Sequence, residues 1–433
     1  MTMKTIAAHT LGCKVNQYDT QAMLELFLKE GYTVVPMEQS ADVYLINTCT
    51  VTGTGSRKSL QLIRKIRREH PSARLVVCGC LAQLQGERLL ADGADLVLGT
   101  QRRGEIISLL NKVVETGSPL CAVSPAADIR CFENLTISSL ENHTRAVLKI
   151  QEGCNNHCSY CIIPSVRGPI RSRAPEDILS EVTRLSAAGY CEIVLTGIHL
   201  SSYGRDLPAS VSLTDVVHMI QGVPGVLRLR LGSLEPGIAT PAFAAALKKA
   251  DKVCPQFHLA LQSGSDAVLA RMKRQYNTSQ YLCGVENLRR EFPSAAFTTD
   301  ILTGFPGETE QEYQQTRDFI SRVGFSRIHV FPYSSRPGTV AASLPGQLPS
   351  EVKDRRAREL IALGNSVAGR YLLSWVGRES VFLPEEVVDG CWEGYTPEYI
   401  RVRMDRDSSC RSGVPVRVRL VAVESRTMRG ILI

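Results

Sequence analysis

Two rhythms of apolar and polar residues divide the chain. Over about residues 1–115, apolar runs of strand length recur at TIAAHTL (5–11), YTVVP (32–36), VYLIN (43–47), RLVVC (74–78) and DLVLG (95–99). Amphipathic stretches lie between them, such as QAMLELFLKEG (21–31) and SLQLIRKIRREH (59–70). The second ends in basic residues, which a helix C-terminus favours. This alternation predicts an open βα sheet. Residues 116–143 lose the rhythm, gather Pro, Ser and Asn, and read as a linker.

The alternation resumes over about 144–368, with strands at RAVLKI (145–150), CEIVLTG (191–197), VLRLRLGS (226–233), FHLALQS (257–263), FTTDILTGF (297–305) and RIHVFPY (327–333). Each is separated from the next by enough chain for a crossover helix. That order predicts a partial or complete βα barrel whose active site lies at the C-terminal mouth of its strands. Over about 369–433 the period changes to two, in VGRESVFLPEE, YIRVRMDR and VPVRVRLVAVESR, which predicts a small antiparallel β-barrel. The expected fold class is therefore α/β: an open βα-sheet domain, a TIM-type partial barrel and a C-terminal β-barrel.

A chain of 433 residues is too long for a single core, and its 44% hydrophobic and 21% charged content is that of an ordinary globular protein. No window approaches the apolar length of a membrane span, and MTMKTIAAHTLGCK lacks a long apolar signal region, so the expected location is cytoplasmic. In a reducing compartment the 14 cysteines read as cluster ligands, catalytic groups or buried residues rather than disulfides. The net charge of +7 permits a nucleic-acid partner without requiring one.

Candidate chemistry concentrates in EGCNNHCSYCIIPSVRG, where Cys154, Cys158 and Cys161 follow a predicted strand. Three thiolates spaced C-x3-C-x2-C can hold three irons of a cubane [4Fe-4S] cluster and leave the fourth open to a small chelating molecule. Clusters that only carry electrons normally take four cysteines. The spacing is that used with S-adenosylmethionine (SAM), and Tyr160 is placed to face a bound adenine. A zinc knuckle is the competing reading, but His157 sits inside the triplet, badly placed to complete a tetrahedron. Cys13, Cys49 and Cys80 form a second set. Each follows the C-terminal end of a predicted strand, and in an open α/β sheet those ends share one rim. They are candidates for a second cluster; Cys78 competes with Cys80 but lies inside its strand. Packing at strand ends is the alternative, and core or surface placement suffices for the remaining cysteines.

Barrel strand ends offer Thr196, Gly197, Ser233, Glu235 and Gln262, with Gly304 and Gly307 in the GFPGET turn, as SAM contacts. Arg167, Arg171 and Arg173 are candidates for an anionic substrate or the SAM carboxylate, against the alternative of a solvated basic loop. Between 401 and 429 eight arginines face only Asp405, Asp407 and Glu424. Arg401, Arg403, Arg417 and Arg419 alternate with apolar residues and should line one exposed face, as a solvated surface or an RNA-phosphate contact.

TLGCKVNQYDTQAM, INTCTVT, VVCGC, the cysteine loop, LTGIHLSSYG, LALQSGSD and DILTGFPGETE resemble the radical-SAM methylthiotransferases over essentially the whole chain, and the tail resembles that family's TRAM barrel. CKVNQ (13–17) and HTRAVLKIQEGC (143–154) are most similar to the branch that methylthiolates C2 of N6-threonylcarbamoyladenosine at position 37 of tRNA. The isopentenyladenosine branch typically has Met-Asn after the first cysteine, and the ribosomal-protein branch Pro-Lys-Asn; here Lys14, Val15 and Asn16 follow. Gly232-Ser233 departs from the two serines more usual in relatives. The resemblance implies two [4Fe-4S] clusters and SAM. The cluster at Cys154/Cys158/Cys161 would cleave SAM reductively, and the one at Cys13/Cys49/Cys80 would carry a sulfur that a second SAM methylates. It also implies an electron donor such as flavodoxin or ferredoxin, and a tRNA anticodon arm held by the arginine-bearing tail and the basic helix 57–68. Action on isopentenyladenosine or on a ribosomal-protein aspartate, or service as a non-catalytic iron–sulfur RNA-binding protein, are the alternatives.

Overall fold

The computed structural model describes residues 4–138 and 144–433. In the first region β1 (Thr5–Thr10), α1 (Lys14–Lys29), β2 (Thr33–Val34), β3 (Val43–Thr48), α2 (Gly53–Glu69), β4 (Arg74–Gly79), α3 (Cys80–Ala91), β5 (Leu96–Leu98), α4 (Ile106–Thr116) and β6 (Leu120–Ala122) follow one another. The six strands form one sheet in the order β2-β1-β3-β4-β5-β6, and every pair is parallel. Alternate strand residues serve opposite faces. Ile6, Leu45, Val76 and Leu96 pack with Phe27 of α1 and Leu110 of α4. Ala7, Ile46, Val77 and Val97 pack with Ile63 of α2 and Leu89 of α3. One expectation is corrected here: β6 arises from the stretch read as linker and pairs with β5. Three residues among Pro and Ser are too few to display a strand period.

The central region comprises β7 (Arg145–Glu152), α5 (Ile163–Arg167), β8 (Arg171–Ser172), α6 (Pro175–Ala187), β9 (Glu192–Gly197), α7 (Leu213–Gln221), β10 (Arg228–Leu231), β11 (Ser233–Leu234), α8 (Pro241–Lys248), β12 (Gln256–Leu259), α9 (Asp266–Arg271), α10 (Thr278–Glu291), β13 (Ala296–Thr303), α11 (Glu310–Val323), β14 (Arg327–Pro332) and α12 (Ser350–Leu373). Its strands run β8-β7-β9-β10 and, after an interruption at Gly232, β11-β12-β13-β14. A Leu229–Val253 bridge ties the two halves. Apart from the short antiparallel β8, all pairings are parallel, giving the expected partial barrel. Leu148, Ile193, Leu229, Phe257 and Phe297 turn outward into the helix layer. The alternate residues, including Arg145, Lys149, Glu192, Arg230, His258 and Asp300, therefore face the concave interior. Tyr18 and Ala22 of α1 join the same core, so the first region packs directly on the second.

In the last region β15 (Glu379–Val388), β16 (Cys391–Tyr395), β17 (Arg401–Asp405), β18 (Val416–Glu424) and β19 (Thr427–Leu432) close a barrel in the order β15-β16-β17-β19-β18. One pairing differs from a purely antiparallel barrel: β17 and β19 run parallel. Phe382, Val402, Val418, Leu420 and Met428 fill its centre. It docks at the start of the central strands. Arg228 donates to the Val381 and Tyr395 carbonyls (2.7 and 3.1 Å), and Arg230 to that of Pro397 (2.9 Å).

Candidate active site

At the end of β7 the chain turns through Gly153, whose φ is +73°. A Cβ there would lie 1.8 Å from the Pro169 carbonyl oxygen, so no other residue fits. The Cys154 N–H donates to the Gly168 carbonyl and the Cys161 N–H to that of Cys158, both at 3.0 Å. Ser159 fixes the middle of the loop through its N–H to Met272 O (3.0 Å) and its hydroxyl to Arg271 O (2.8 Å). Gly153→Ala should therefore displace the whole cysteine loop. We expect a loss of about 2–5 kcal/mol, summing backbone strain and overpacking, read as a lower Tm together with reduced iron per chain.

Donors surround the loop thiols. The Asn156 N–H points to Cys154 Sγ (3.4 Å) and Arg274 Nη1 to Cys158 Sγ (3.1 Å). Glu235 aims Arg274 with a 2.9 Å ion pair and also accepts from Asn156 (2.8 Å) and from His199 Nε2 (2.6 Å). Burial would raise the Glu235 pKa, but the His199 hydrogen bond and the Arg274 charge outweigh it and bring it down to about 2. Burial pushes the Cys154 thiol up to about 11 and that of Cys161 up to about 12. Such thiols keep their protons at neutral pH until a metal displaces them.

The second set lies where the strand ends place it. Cys13 caps α1, Cys49 follows β3, and Cys80 opens α3 directly after β4. A Cβ on Gly12 would come within 3.2 Å of Cys49 Sγ, so the Cys13 and Cys49 turns abut. Asn16 locks the rim by donating to Leu11 O (2.7 Å) and Thr48 O (3.0 Å). Burial raises the Cys49 pKa and brings that of Cys80 to about 11; both thiols feel Cys13 and the Arg167 charge. Cys78 is wholly buried in the apolar core, away from the rim. Among the described residues no three His, Cys, Asp or Glu side chains converge as a single metal ion requires. A cubane, by contrast, spreads its ligands over separate irons.

The two sets face one interface. Cys80 packs against Ile162, the residue after Cys161, and against Val166. Arg167 Nε points to Cys80 Sγ at 3.4 Å. The same guanidinium pairs with Glu152 of its own region and, across the domain boundary, with Asp19 (3.3 Å) and Asn16. Lys149 bridges Asp19 (2.5 Å) and Glu152 (3.2 Å), and Arg103 pairs with Asp19, Glu133 (2.8 Å) and Glu152 (3.2 Å). The solvated reading of Arg167, Arg171 and Arg173 from sequence is thereby corrected: all three are buried. Arg173 pairs with Glu181, and Arg171 donates to the Arg167 and Pro169 carbonyls, both at 2.8 Å.

The other sequence candidates scatter around the barrel mouth. Tyr160 packs with Val268, Met272, Phe305 and Tyr333, beside the turn that carries Gly304 and Gly307. At Gly304 (φ +72°) the close neighbour of an added Cβ is Lys353 of α12, at 2.5 Å. Thr196 and Gly197 end β9 in register with Lys149 and Gln151. Ser233 is exposed, and Gln262 holds a left-handed φ of +68° at the end of the β12 segment. Of this group only Glu235 is bonded to the cysteine loop. Sequence reading missed Asn156, His199, Arg274 and the barrel-lining pair His258 and His329, whose rings lie 6.3 Å apart. For His258 and His329, polar residues alternating with apolar ones inside the predicted strands were the available signal.

On the C-terminal barrel Arg401 pairs with Glu393, Arg403 with Asp389 (3.8 Å), and Arg417 and Arg419 with Glu379 (2.8 and 3.1 Å). Acids from β15 and β16 thus temper a charge that looked nearly unopposed within 401–429. Arg64 and Arg67 of α2 are likewise engaged, with Asp92 (2.9 Å) and Asp95.

Residues 5–99 match the family described as "Uncharacterized protein family UPF0004" and residues 148–320 the "Radical SAM superfamily". The chain is 41% identical to the "Threonylcarbamoyladenosine tRNA methylthiotransferase MtaB" of Bacillus subtilis (strain 168), covering 92% of this chain and 90% of the relative. It belongs to the radical-SAM tRNA methylthiotransferases. The protein of that name in Thermotoga maritima is 37% identical over 92% of this chain and 91% of its own. A "tRNA-2-methylthio-N(6)-dimethylallyladenosine synthase" of Moorella thermoacetica is 34% identical over 99% and 98%. Among solved structures, the radical S-adenosylmethionine methyltransferase TsrM of Kitasatospora setae aligns with a TM-score of 0.59 at 15% identity, covering 79% of this chain and 77% of that one. The cobalamin-dependent S-adenosylmethionine radical enzyme OxsB aligns at 0.51 and 11%, covering 83% and 56%. These two establish the fold alone. As a radical-SAM methylthiotransferase the chain is an enzyme that uses a [4Fe-4S] cluster and SAM and has tRNA as its substrate. Among the described residues no helix is long and apolar enough to cross a membrane.

Proposed function

We propose that this enzyme methylthiolates C2 of N6-threonylcarbamoyladenosine at position 37 of tRNA, with a [4Fe-4S] cluster on Cys154, Cys158 and Cys161 and a second on Cys13, Cys49 and Cys80. The carrying observation is the contact of Cys80 with the segment that leaves Cys161, which sets the two thiol sets on either side of one interface. An adenine C2–H is too weakly acidic for a protein base, so radical chemistry falls to the cofactors. When bound, the loop cluster and SAM supply a 5′-deoxyadenosyl radical, and the rim cluster supplies the sulfur to be methylated and transferred.

The chain's own residues position these groups. Arg274, Asn156 and Glu235 form a polar wall on the loop side of the interface, and Arg167 places a positive charge against the rim side. Tyr160, Thr196, Gly197, Ser233, Gln262, Gly304 and Gly307 complete the proposed SAM mouth. Arg401, Arg403, Arg417 and Arg419 offer phosphate contacts to the anticodon arm, and a flavodoxin or ferredoxin supplies electrons in the cytoplasm. Incubating the reconstituted enzyme, SAM and dithionite with tRNA bearing or lacking the threonylcarbamoyl group tests the reading. Nucleoside mass spectrometry should show a methylthio product only with the modified tRNA. Product on isopentenyladenosine tRNA instead would move the enzyme to the other branch.

A further inference from the structure

The turn that joins β16 to β17 carries a stack of rings that is closed at its inner end and open at its outer one. Tyr399 holds a left-handed φ of +64°, a state that an aromatic residue keeps only where its neighbours enforce it. The Thr396 N–H donates to Ile400 O and the Tyr399 N–H to Thr396 O, both at 3.0 Å. Arg230 reaches from the central barrel to the Pro397 (2.9 Å) and Thr396 (3.4 Å) carbonyls. So fixed, the Tyr399 ring lies nearly parallel to that of Tyr395, with centroids 4.5 Å apart and planes at 15°. The Arg230 guanidinium, 4.7 Å from the Tyr399 centroid, closes the inner end. Arg145 is 4.9 Å from the Tyr395 centroid and 5.3 Å from that of Tyr399. Near-equal distances to two stacked rings place it beside the stack, where Glu385 holds it at 2.6 Å. Tyr395 is half-buried, and among the described residues no further ring or cation lies over it. Its cross-strand neighbour is Arg401, whose side chain is 49% exposed and gives one nitrogen to Glu393. The remaining guanidinium donors are left for another acceptor.

We propose that the outer face of Tyr395 is a stacking platform for an unpaired base of the substrate tRNA, with Arg401 beside it for that nucleotide's phosphate. The inference rests on the RNA role given to the C-terminal barrel above and extends it from phosphate contact to base contact. An aromatic face flanked by a guanidinium is the pairing that single-stranded nucleic acid selects, since every base has a π-face and every nucleotide an anion. Because Tyr399 and Arg230 already back the Tyr395 ring, little side-chain freedom is lost when a base joins the stack. The other arginine pair of the barrel lacks this feature: Arg417 and Arg419 have Val381, Glu379 and Ile431 as cross-strand neighbours and no ring. The stack also stands at the start of the central strands, whereas the cysteine loop follows the end of β7. The base it takes is therefore not the one that reacts. It is a flanking loop nucleotide, and holding it fixes the register of the arm on the enzyme.

Fluorescein-labelled anticodon arms test this by anisotropy with the reconstituted full-length enzyme. One arm is intact, and the others carry an abasic site at each unpaired loop position except 37 in turn. Wild type should lose about fivefold or more in affinity at one such position. Tyr395→Leu should bind the intact arm more weakly by a similar factor and lose nothing further with that abasic arm, whereas Tyr395→Phe should behave as wild type. Arg401→Met should weaken every arm alike and flatten the salt dependence, as loss of a phosphate contact does; an unchanged slope removes Arg401 from the site. A position-specific loss that persists undiminished in Tyr395→Leu overturns the platform. Crosslinking from 5-iodouracil placed at that position, mapped by mass spectrometry in the wild-type protein, reads the contact without any variant. A crosslink to Tyr395 supports the platform, and one outside the C-terminal barrel, or none, overturns it. Binding of the intact arm separates the two readings: an arm bound with no position-specific loss defeats the platform alone, and no binding defeats the RNA role with it.

Discussion

Alanine at Cys158 is expected to abolish 5′-deoxyadenosine formation, whereas alanine at Cys80 should abolish the methylthio product and leave reductive cleavage of SAM running. The difference follows from where each thiol sits. Cys158 stands in the loop after β7, under Arg274, and its loss removes one of three ligands to the proposed radical-generating cluster. Cys80 sits across the interface on α3, behind Ile162 and beside Arg167, where it serves only the proposed sulfur-bearing set. Cys78 is the control. It lies two residues from Cys80 but inside the apolar core, so Cys78→Ala should cost about 1 kcal/mol of stability and neither product. Quantifying 5′-deoxyadenosine and methylthionucleoside in the same reactions gives the answer. Methylthio product from Cys80→Ala at wild-type rate would remove Cys80 from the site and with it the second cluster as drawn.

The second large effect concerns Arg167. Its guanidinium is wholly buried and is shared by Glu152, Asp19, Asn16 and Cys80, so it ties α5 to α1 and α3 at once. Arg167→Met keeps much of the volume but leaves two buried carboxylates short of a cation. Breaking a buried pair from one side costs about 3–5 kcal/mol. Adding Glu152→Gln should recover part of that loss, because the stranded charge is then gone. The effect has a defined pH dependence. Burial would raise the Glu152 pKa, but Lys149, Arg103 and Arg167 hold it well below the usual carboxylate range. A depressed folded-state pKa contributes stability above the unfolded value of about 4.3 and loses it as pH falls through the folded value. The gap between wild type and Arg167→Met should thus be fully open at neutral pH and narrow under acid conditions. Urea midpoints followed from pH 7 down through and well below the unfolded carboxylate value of about 4.3 measure it. Iron content should fall in the variant as well, since Cys80 loses its charged neighbour. A gap that is constant with pH would show that Arg167 acts through packing rather than charge.

Local pattern was enough for much of the molecule. The five longer stretches read as strands in the first region became β1 to β5, because each apolar run is bounded by helix-forming sequence with its own period. The β6 strand was hidden, since Leu120–Ala122 acquires a strand identity only by pairing with β5. The barrel strands were legible in the same way, and so was the polar inner face, had the residues between the apolar ones been weighed. What spacing within one segment could not carry was the fate of the arginines. Arg167, Arg171 and Arg173 form a basic run in the chain, and only docking against Asp19, Glu181 and the Glu152 strand end turns them into buried partners. The tail arginines show the reverse limit: their acids, Glu379 and Glu393, lie outside the stretch in which charge was counted.

The sequence by itself determined the chemistry available: three thiols on one loop, three more at strand ends, and two βα series to hold them. These follow from contacts between near neighbours in the chain, which spacing and period encode directly. Only the tertiary structure decided that the two thiol sets share an interface and that Arg167 seals it. Those contacts join residues far apart in the chain, such as Cys80 and Arg167, 87 positions apart. They arise because burying the apolar face of α1 on the central core leaves the charged groups between the domains no water to turn to, so they pair with one another.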